Sequence, residues 1–183
     1  MISDTHRRLR DATHAHHVRL ETRIDILNRI ATAEGRRELV GRFHALHAAA
    51  EHALAPFLAG IDGLDFDARR RSARLAGDLA DLGTAPGAPS APIVVRGVAE
   101  ALGLMYVLEG STLGGRVIRK HVESRGGDMR GLSFLDPYGA DAGERWRAFL
   151  GVLDAEADVE GLVAGAVAGF DHSERHLCGG SAA

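Results

Sequence analysis

Apolar residues recur along this chain at three- and four-residue intervals, the period of an amphipathic α-helix rather than of a strand. Leu9, Leu20, Ile24 and Leu27 form one stripe behind the N-cap candidates Ser3, Asp4 and Thr5, and predict a first helix to about Ile30. Beyond Gly35, Leu39, Phe43, Leu46 and Leu54 predict a second helix that ends before Pro56, and Asp67 to Leu82 reads as a third, very polar one. The stretch from Gly83 to Pro92 is a linker, too short to separate domains. A fourth helix is expected from Ile93 to Glu109, then a glycine-rich break at Gly110-Ser111-Thr112-Leu113-Gly114-Gly115, with helix resuming from Arg116 to about Arg125. Gly126-Gly127 and Asp136-Pro137-Tyr138-Gly139 bracket a loop, and two last helices cover about Gly143 to Ala155 and Val159 to His176. Ile93-Val94-Val95 is too brief to build a sheet. The pattern predicts an all-α fold, a single domain over residues 1–183 with a flexible tail from about 177.

A chain of 183 residues is long enough to bury one sizeable core. Hydrophobic residues make up 45 % and charged residues 26 %, and the net charge of -3 argues against nucleic acid or an acidic membrane as partner. The opening MISDTHRRLR lacks the apolar stretch of a signal peptide, and no window reaches the roughly 18 uncharged apolar residues of a membrane helix. A single cysteine, Cys178, precludes an intramolecular disulfide, so a reducing cytoplasm is the expected setting. Lys120 is the only lysine. The ten histidines change the picture more: His14, His16 and His17, and His44, His47 and His52, cluster as metal ligands would. The tail His172-x-x-x-His176-x-Cys178 also has ligand spacing, although ordinary surface histidines are the plainer reading there.

Two groups carry candidate chemistry. His17 lies in phase with Leu20, Ile24 and Leu27, which predicts that it points into the protein, with Arg10 two turns behind and Glu21 one turn ahead. A neutral imidazole that ligates a metal needs an acceptor for its other N–H, and Glu21 or a backbone carbonyl suits that role. The same spacing suits a core histidine flanked by a solvated Arg and a surface Glu, and it does not choose between the two. The second group is Gly110, Gly114 and Gly115, whose presence in a helix costs roughly 0.8–1 kcal/mol each against Ala. Glycines four apart strip one helix face, so that a flat body can approach the backbone or the helix can kink; close helix–helix packing would use the same spacing. A phosphate loop is excluded, because GSTLGG lacks the Lys-Ser/Thr pair and follows a helix.

Leu9-Arg10-Asp11-Ala12-Thr13, followed by His17 and Leu20-Glu21, resembles the opening motif of haem oxygenases. The segment from Leu102 to Ile118, through Tyr106 and Gly110-Ser111-Thr112-Leu113-Gly114-Gly115-Arg116, is similar to their distal helix, above all in the bacterial branch that supplies biliverdin to bacteriophytochromes. Phe134, Tyr138-Gly139, Arg145-Trp146-Arg147 and Phe149-Leu150 also resemble that branch.

The resemblance implies haem b, at once substrate and cofactor, held between a proximal N-terminal helix and a kinked, glycine-rich distal helix. It implies an oxidoreductase that uses O2 and an external ferredoxin- or reductase-type electron donor to open haem to biliverdin, CO and Fe²⁺, with a bacteriophytochrome as a candidate acceptor. It assigns His17 as iron ligand, Glu21 as its partner and Arg10 as a propionate contact, with Thr13 and Tyr106 in the same pocket. Gly110, Gly114 and Gly115 become the distal platform, and Arg116, Arg119 and Lys120 the basic residues for propionates or an acidic donor. Mammalian members carry an Asp where this chain has Ser111, so the proton relay must differ, with Ser111 and Thr112 as candidates. The last helix from Val159 to Phe170 has no Lys or Arg to hold a second propionate. A non-catalytic haem carrier on the same fold, or a helical interaction protein without haem, are the competing readings.

Overall fold

A computed structural model describes residues 2–88 and 90–179, all of them in helices, turns and loops with no strand among the described residues. The all-α single-domain expectation holds, while several helix boundaries move. Helix α1 (Asp4–Ile24) starts where the Ser3 side chain accepts the His6 N–H. It stops at Asp25, which takes a left-handed φ of 44° and whose carboxylate is held by the Asn28 side-chain amide. Residues up to Ile30 therefore form a separate short helix, α2 (Ile26–Ile30), not the end of the first. Helix α3 (Ala33–Leu58) is capped by Thr32 and runs through Gly35 at its start and Pro56 at its end. The polar third helix is two pieces, α4 (Phe66–Arg69) and α5 (Ser72–Asp81), with Arg70 and Arg71 at the corner.

The larger departure is α6 (Val98–Ser124), a single helix through the glycine-rich segment where a break is expected. It starts five residues later than predicted, since Ile93 to Gly97 is an extended approach. Tertiary packing offsets the low propensity of its glycines. A Cβ on Gly103 would land on the Leu162 carbonyl oxygen of α8 (Val159–Cys178), and one on Gly165 of α8 would land on the Glu100 carbonyl oxygen. The two backbones approach too closely for any side chain at either position. Helix α7 (Ala142–Ala155) completes the bundle.

The core has two parts. One gathers Leu9, Leu54, Leu102, Met105, Phe149, Leu153 and Leu162 where α1, α3, α6, α7 and α8 converge. The other joins Leu39, Val40, Leu75, Leu79, Phe134 and Leu177 around α3 and α5. Helix α1 is locked to α8 by charges as well: His16 Nδ1 lies 3.1 Å from Asp171, Arg19 donates to Glu174 at 2.6 Å, and Arg23 also reaches Glu174. Those contacts hold the face of α1 that carries His17.

Candidate functional site

Helices α1 and α6 meet at Tyr106. Its ring centroid lies 6.1 Å from that of His6 and 5.7 Å from that of Trp146 on α7. Burial pushes the Tyr106 phenol up from its ordinary range, against the opposing pull of Arg10 and of a hydrogen bond with Thr13. Thr13 is buried and its hydroxyl donates to the Leu9 carbonyl at 2.7 Å, as a threonine in mid-helix commonly does. Arg10 and Thr13 thus lie within electrostatic reach of Tyr106.

One turn further along each helix, both surfaces open. On α1 the His17 side chain is 55 % exposed, so it does not point into the core as its phase predicts. The stripe used for that phase is broken at Asp25, and Leu27 beyond it is itself exposed. The His17 ring packs edge-on against Phe170 of α8 at 5.8 Å, and its Nδ1 stands 3.5 Å from the Glu21 carboxylate. That distance is too long for a good hydrogen bond. Arg10 is exposed and lies against its neighbour Asp11 at 3.1 Å.

On α6, a Cβ at Gly114 would meet open space and one at Gly110 would touch only the Trp146 ring, at 3.7 Å. Leu113 and Val117 on the same stretch are 40 % and 67 % exposed, large apolar side chains left open on a helix whose first half is buried. Gly115 differs from its neighbours. It is buried, and a Cβ there would collide with the Leu135 carbonyl, so it serves packing rather than the open platform. Arg116 is half-buried and Lys120 exposed, and neither makes an ion pair among the described residues. Arg119 is taken up by Glu123 and Asp136.

The hydroxyls expected to relay protons are tied back to the helix. Ser111 Oγ donates to the Leu108 carbonyl at 2.6 Å and Thr112 Oγ1 to the Glu109 carbonyl at 2.7 Å. Ser111 Oγ in turn accepts from Arg71 Nη1 at 3.2 Å.

That arginine belongs to a buried cluster that periodicity does not reveal. Glu109 is fully buried and accepts from Arg69 at 2.5 Å, Arg71 at 3.1 Å and the Tyr138 hydroxyl at 2.8 Å. Arg69 also caps the Leu64 carbonyl at 2.5 Å and the Arg145 carbonyl at 3.1 Å. Burial, then the Glu109 charge, pushes the Tyr138 phenol up to about 12. The available signal was a charge inside the apolar run before Gly110, together with an Arg69-Arg70-Arg71 triplet. The histidine clusters do not close into a metal site: no group of three or more metal-ligating side chains occurs among the described residues. His172 and His176 pack ring to ring at 4.7 Å. No helix among the described residues is long and apolar enough to cross a membrane.

The chain is similar to known proteins in sequence and in fold. The chain is 35 % identical over 151 residues to a heme oxygenase of Xanthomonas campestris pv. campestris strain 8004, an alignment that covers 77 % of this chain and 86 % of that protein. Its fold superposes with a TM-score of 0.79 on the NO- and CO-bound heme oxygenase of Neisseria meningitidis, at 22 % identity, over 97 % of this chain and 94 % of that one. No protein-family model matches the chain. The fold defines a helical bundle whose first helix presents an exposed His17 and whose sixth presents glycines at Gly110 and Gly114. The chain belongs to the haem oxygenase family of oxidoreductases.

Proposed function

We propose that this chain binds haem b between α1 and α6 and opens it to biliverdin, with His17 as the sole protein ligand to iron. The carrying observation is the pairing of an exposed imidazole on α1 with a side-chain-free stretch of α6, both one turn beyond the Thr13–Tyr106 contact. The exposed Leu113 and Val117 supply the apolar contact a porphyrin needs, and Arg10 with Tyr106 supplies a cationic and a hydroxyl group for a propionate. The residues present therefore fit the group.

Bound haem would supply both the centre that activates O2 and the carbon skeleton that is oxidised, with CO and Fe²⁺ released alongside biliverdin. The protein's share is to hold and to exclude. Glu21, whose carboxylate stands 3.5 Å from His17 Nδ1, is the candidate acceptor that would orient the ring for the metal once the pair closes to hydrogen-bond distance. Gly110 and Gly114 keep side chains out of the space where a small gas binds. The Ser111 and Thr112 hydroxyls face helix carbonyls, and the Glu109 carboxylate is held by two guanidiniums, so none offers a proton directly to that space.

Arg116 and Lys120 are the candidate docking charges for a ferredoxin- or reductase-type donor. A bacteriophytochrome is the candidate acceptor of biliverdin, and the cytoplasm the candidate setting.

The test is a haem titration followed by turnover with ascorbate or reduced ferredoxin. An enzyme loses its Soret band and gains a biliverdin band, whereas a carrier on the same fold keeps the Soret band. His17→Ala should abolish the native ferric spectrum, with partial rescue by imidazole. A spectrum that survives His17→Ala and is lost on changing His14 or His16 would overturn the ligand assignment.

A further inference from the structure

Beside Glu109 of α6 lies a cavity of about 220 Å³ whose lining includes none of Arg10, His17, Gly110 and Gly114. Its wall carries Arg69, Arg70, Arg71, Arg74 and Arg145 together with Tyr138, and Asp141 is the one carboxylate in the lining. We propose that this cavity is a binding site for a small divalent oxyanion, of which inorganic phosphate is the simplest form.

Two observations carry the proposal. First, Arg71 is almost completely buried, yet its donors are only partly used. Nη2 donates to Glu109 and Nη1 to Ser111, while the buried Nε–H finds no acceptor among the described residues. A buried cationic donor left without an acceptor is costly, and an oxyanion in the cavity would satisfy it.

Second, the arginines differ in how far their charge is met. Arg69 and Arg71 share a single carboxylate, Glu109. Arg70 lies 3.4 Å from Glu51 and 3.6 Å from Asp67, and Arg145 lies 2.9 Å from Asp65, all partners outside the cavity wall. Arg74 makes only a long contact, 3.5 Å, to the Pro137 carbonyl, and no ion pair among the described residues. Guanidiniums that converge with unspent N–H groups suit an oxyanion, because their planar forks match its geometry.

The start of α5 adds no free donors at Arg71 and Ser72, whose backbone N–H groups both donate to Glu51 outside the cavity lining. The volume admits a tetrahedral oxyanion with a few waters.

The inference does not rest on haem binding, and its test contains no haem. The apoprotein is titrated with inorganic phosphate in a calorimeter at pH 7 with ionic strength held constant by KCl. One saturable site per chain is expected. Arg74→Ala should weaken it at least tenfold while leaving the phosphate-free melting temperature unchanged, because Arg74 is exposed and makes no ion pair. Arg71→Lys keeps the charge and removes Nε, and should weaken binding likewise. If that variant fails to fold, Arg74→Ala alone decides. Arg96→Ala, distant and exposed, should bind as wild type. If water already satisfies Arg71 Nε, phosphate will give no saturable heat beyond that of chloride, and the proposal falls. It falls equally if Arg74→Ala binds as tightly as wild type.

Discussion

Replacing Glu109 by Gln removes one charge and almost no volume, which makes it the sharpest probe of the buried cluster behind α6. The native carboxylate accepts three hydrogen bonds, at 2.5 Å from Arg69, 3.1 Å from Arg71 and 2.8 Å from Tyr138. Both guanidiniums are buried, so neither regains water when the charge is lost. Breaking a buried ion pair by removing one partner typically costs about 3–5 kcal/mol, most of it the penalty of the stranded charge. The amide can still accept from one guanidinium, which places the expected loss near the lower end. For a chain of this length 1 kcal/mol shifts the melting temperature by roughly 2–4 °C, so a fall on the order of 6–12 °C is expected for about 3 kcal/mol. Urea unfolding followed by circular dichroism gives the free energy directly. The double variant Glu109→Leu/Arg69→Met should recover part of the loss, since one of the two stranded guanidiniums goes with its partner while Arg71 stays without its carboxylate. Recovery stays incomplete because the Leu64 and Arg145 carbonyls lose the donors that Arg69 supplies. A loss below about 1 kcal/mol in Glu109→Gln, with an unchanged urea slope, would show that water reaches the cluster and refute the reasoning.

Three further outcomes follow from the same structure. His47 is buried and its pKa is held well below the ordinary 6.5, first by burial and then by Arg71 and His44, so below pH 6.5 the unfolded chain binds a proton that the folded chain does not. Stability should therefore fall as pH drops below 6.5, with His47 contributing up to about 1.4 kcal/mol per pH unit, and His47→Gln should flatten urea-derived stability across that window. Gly103→Ala, whose Cβ would strike the Leu162 carbonyl, should destabilise the apoprotein by more than 1 kcal/mol, while Gly114→Leu, facing open space, should leave its melting temperature nearly unchanged and suppress turnover; equal thermal losses in both would place Gly114 in the packing. Arg10→Glu should change haem affinity only a few-fold, since an exposed pair is worth roughly 0.2–1 kcal/mol, and shift the ratio of biliverdin isomers seen by chromatography; a wild-type ratio at full activity would move the anchor to Arg116 or Lys120.

Much of this protein was legible in the sequence because helical order is local. The period of Leu39, Phe43, Leu46 and Leu54, the Ser3 cap, and the spacing of Thr13, His17 and Glu21 involve residues within a few turns of one another. Their one-dimensional pattern already contains the geometry. The His17 motif and Gly110-Ser111-Thr112-Leu113-Gly114-Gly115 were legible for the same reason, each lying within a single helix.

Tertiary structure decided what depends on contacts distant in the chain. The break at Asp25 needs a left-handed residue that periodicity does not register, and His17 stands on an exposed face although Ile24 in the same stripe is buried. Helix α6 runs unbroken through its glycines because α8 and the Leu135 segment lie where side chains would otherwise be, so Gly103 and Gly115 pack while Gly114 stays open. Glu109 reads in sequence as an interruption of an apolar run. Its partners Arg71 and Arg69 stand 38 and 40 residues away, and only the fold brings them within hydrogen-bond reach. A buried charge is stable only where its counter-charges converge, and that convergence is a property of the assembled bundle rather than of any one helix.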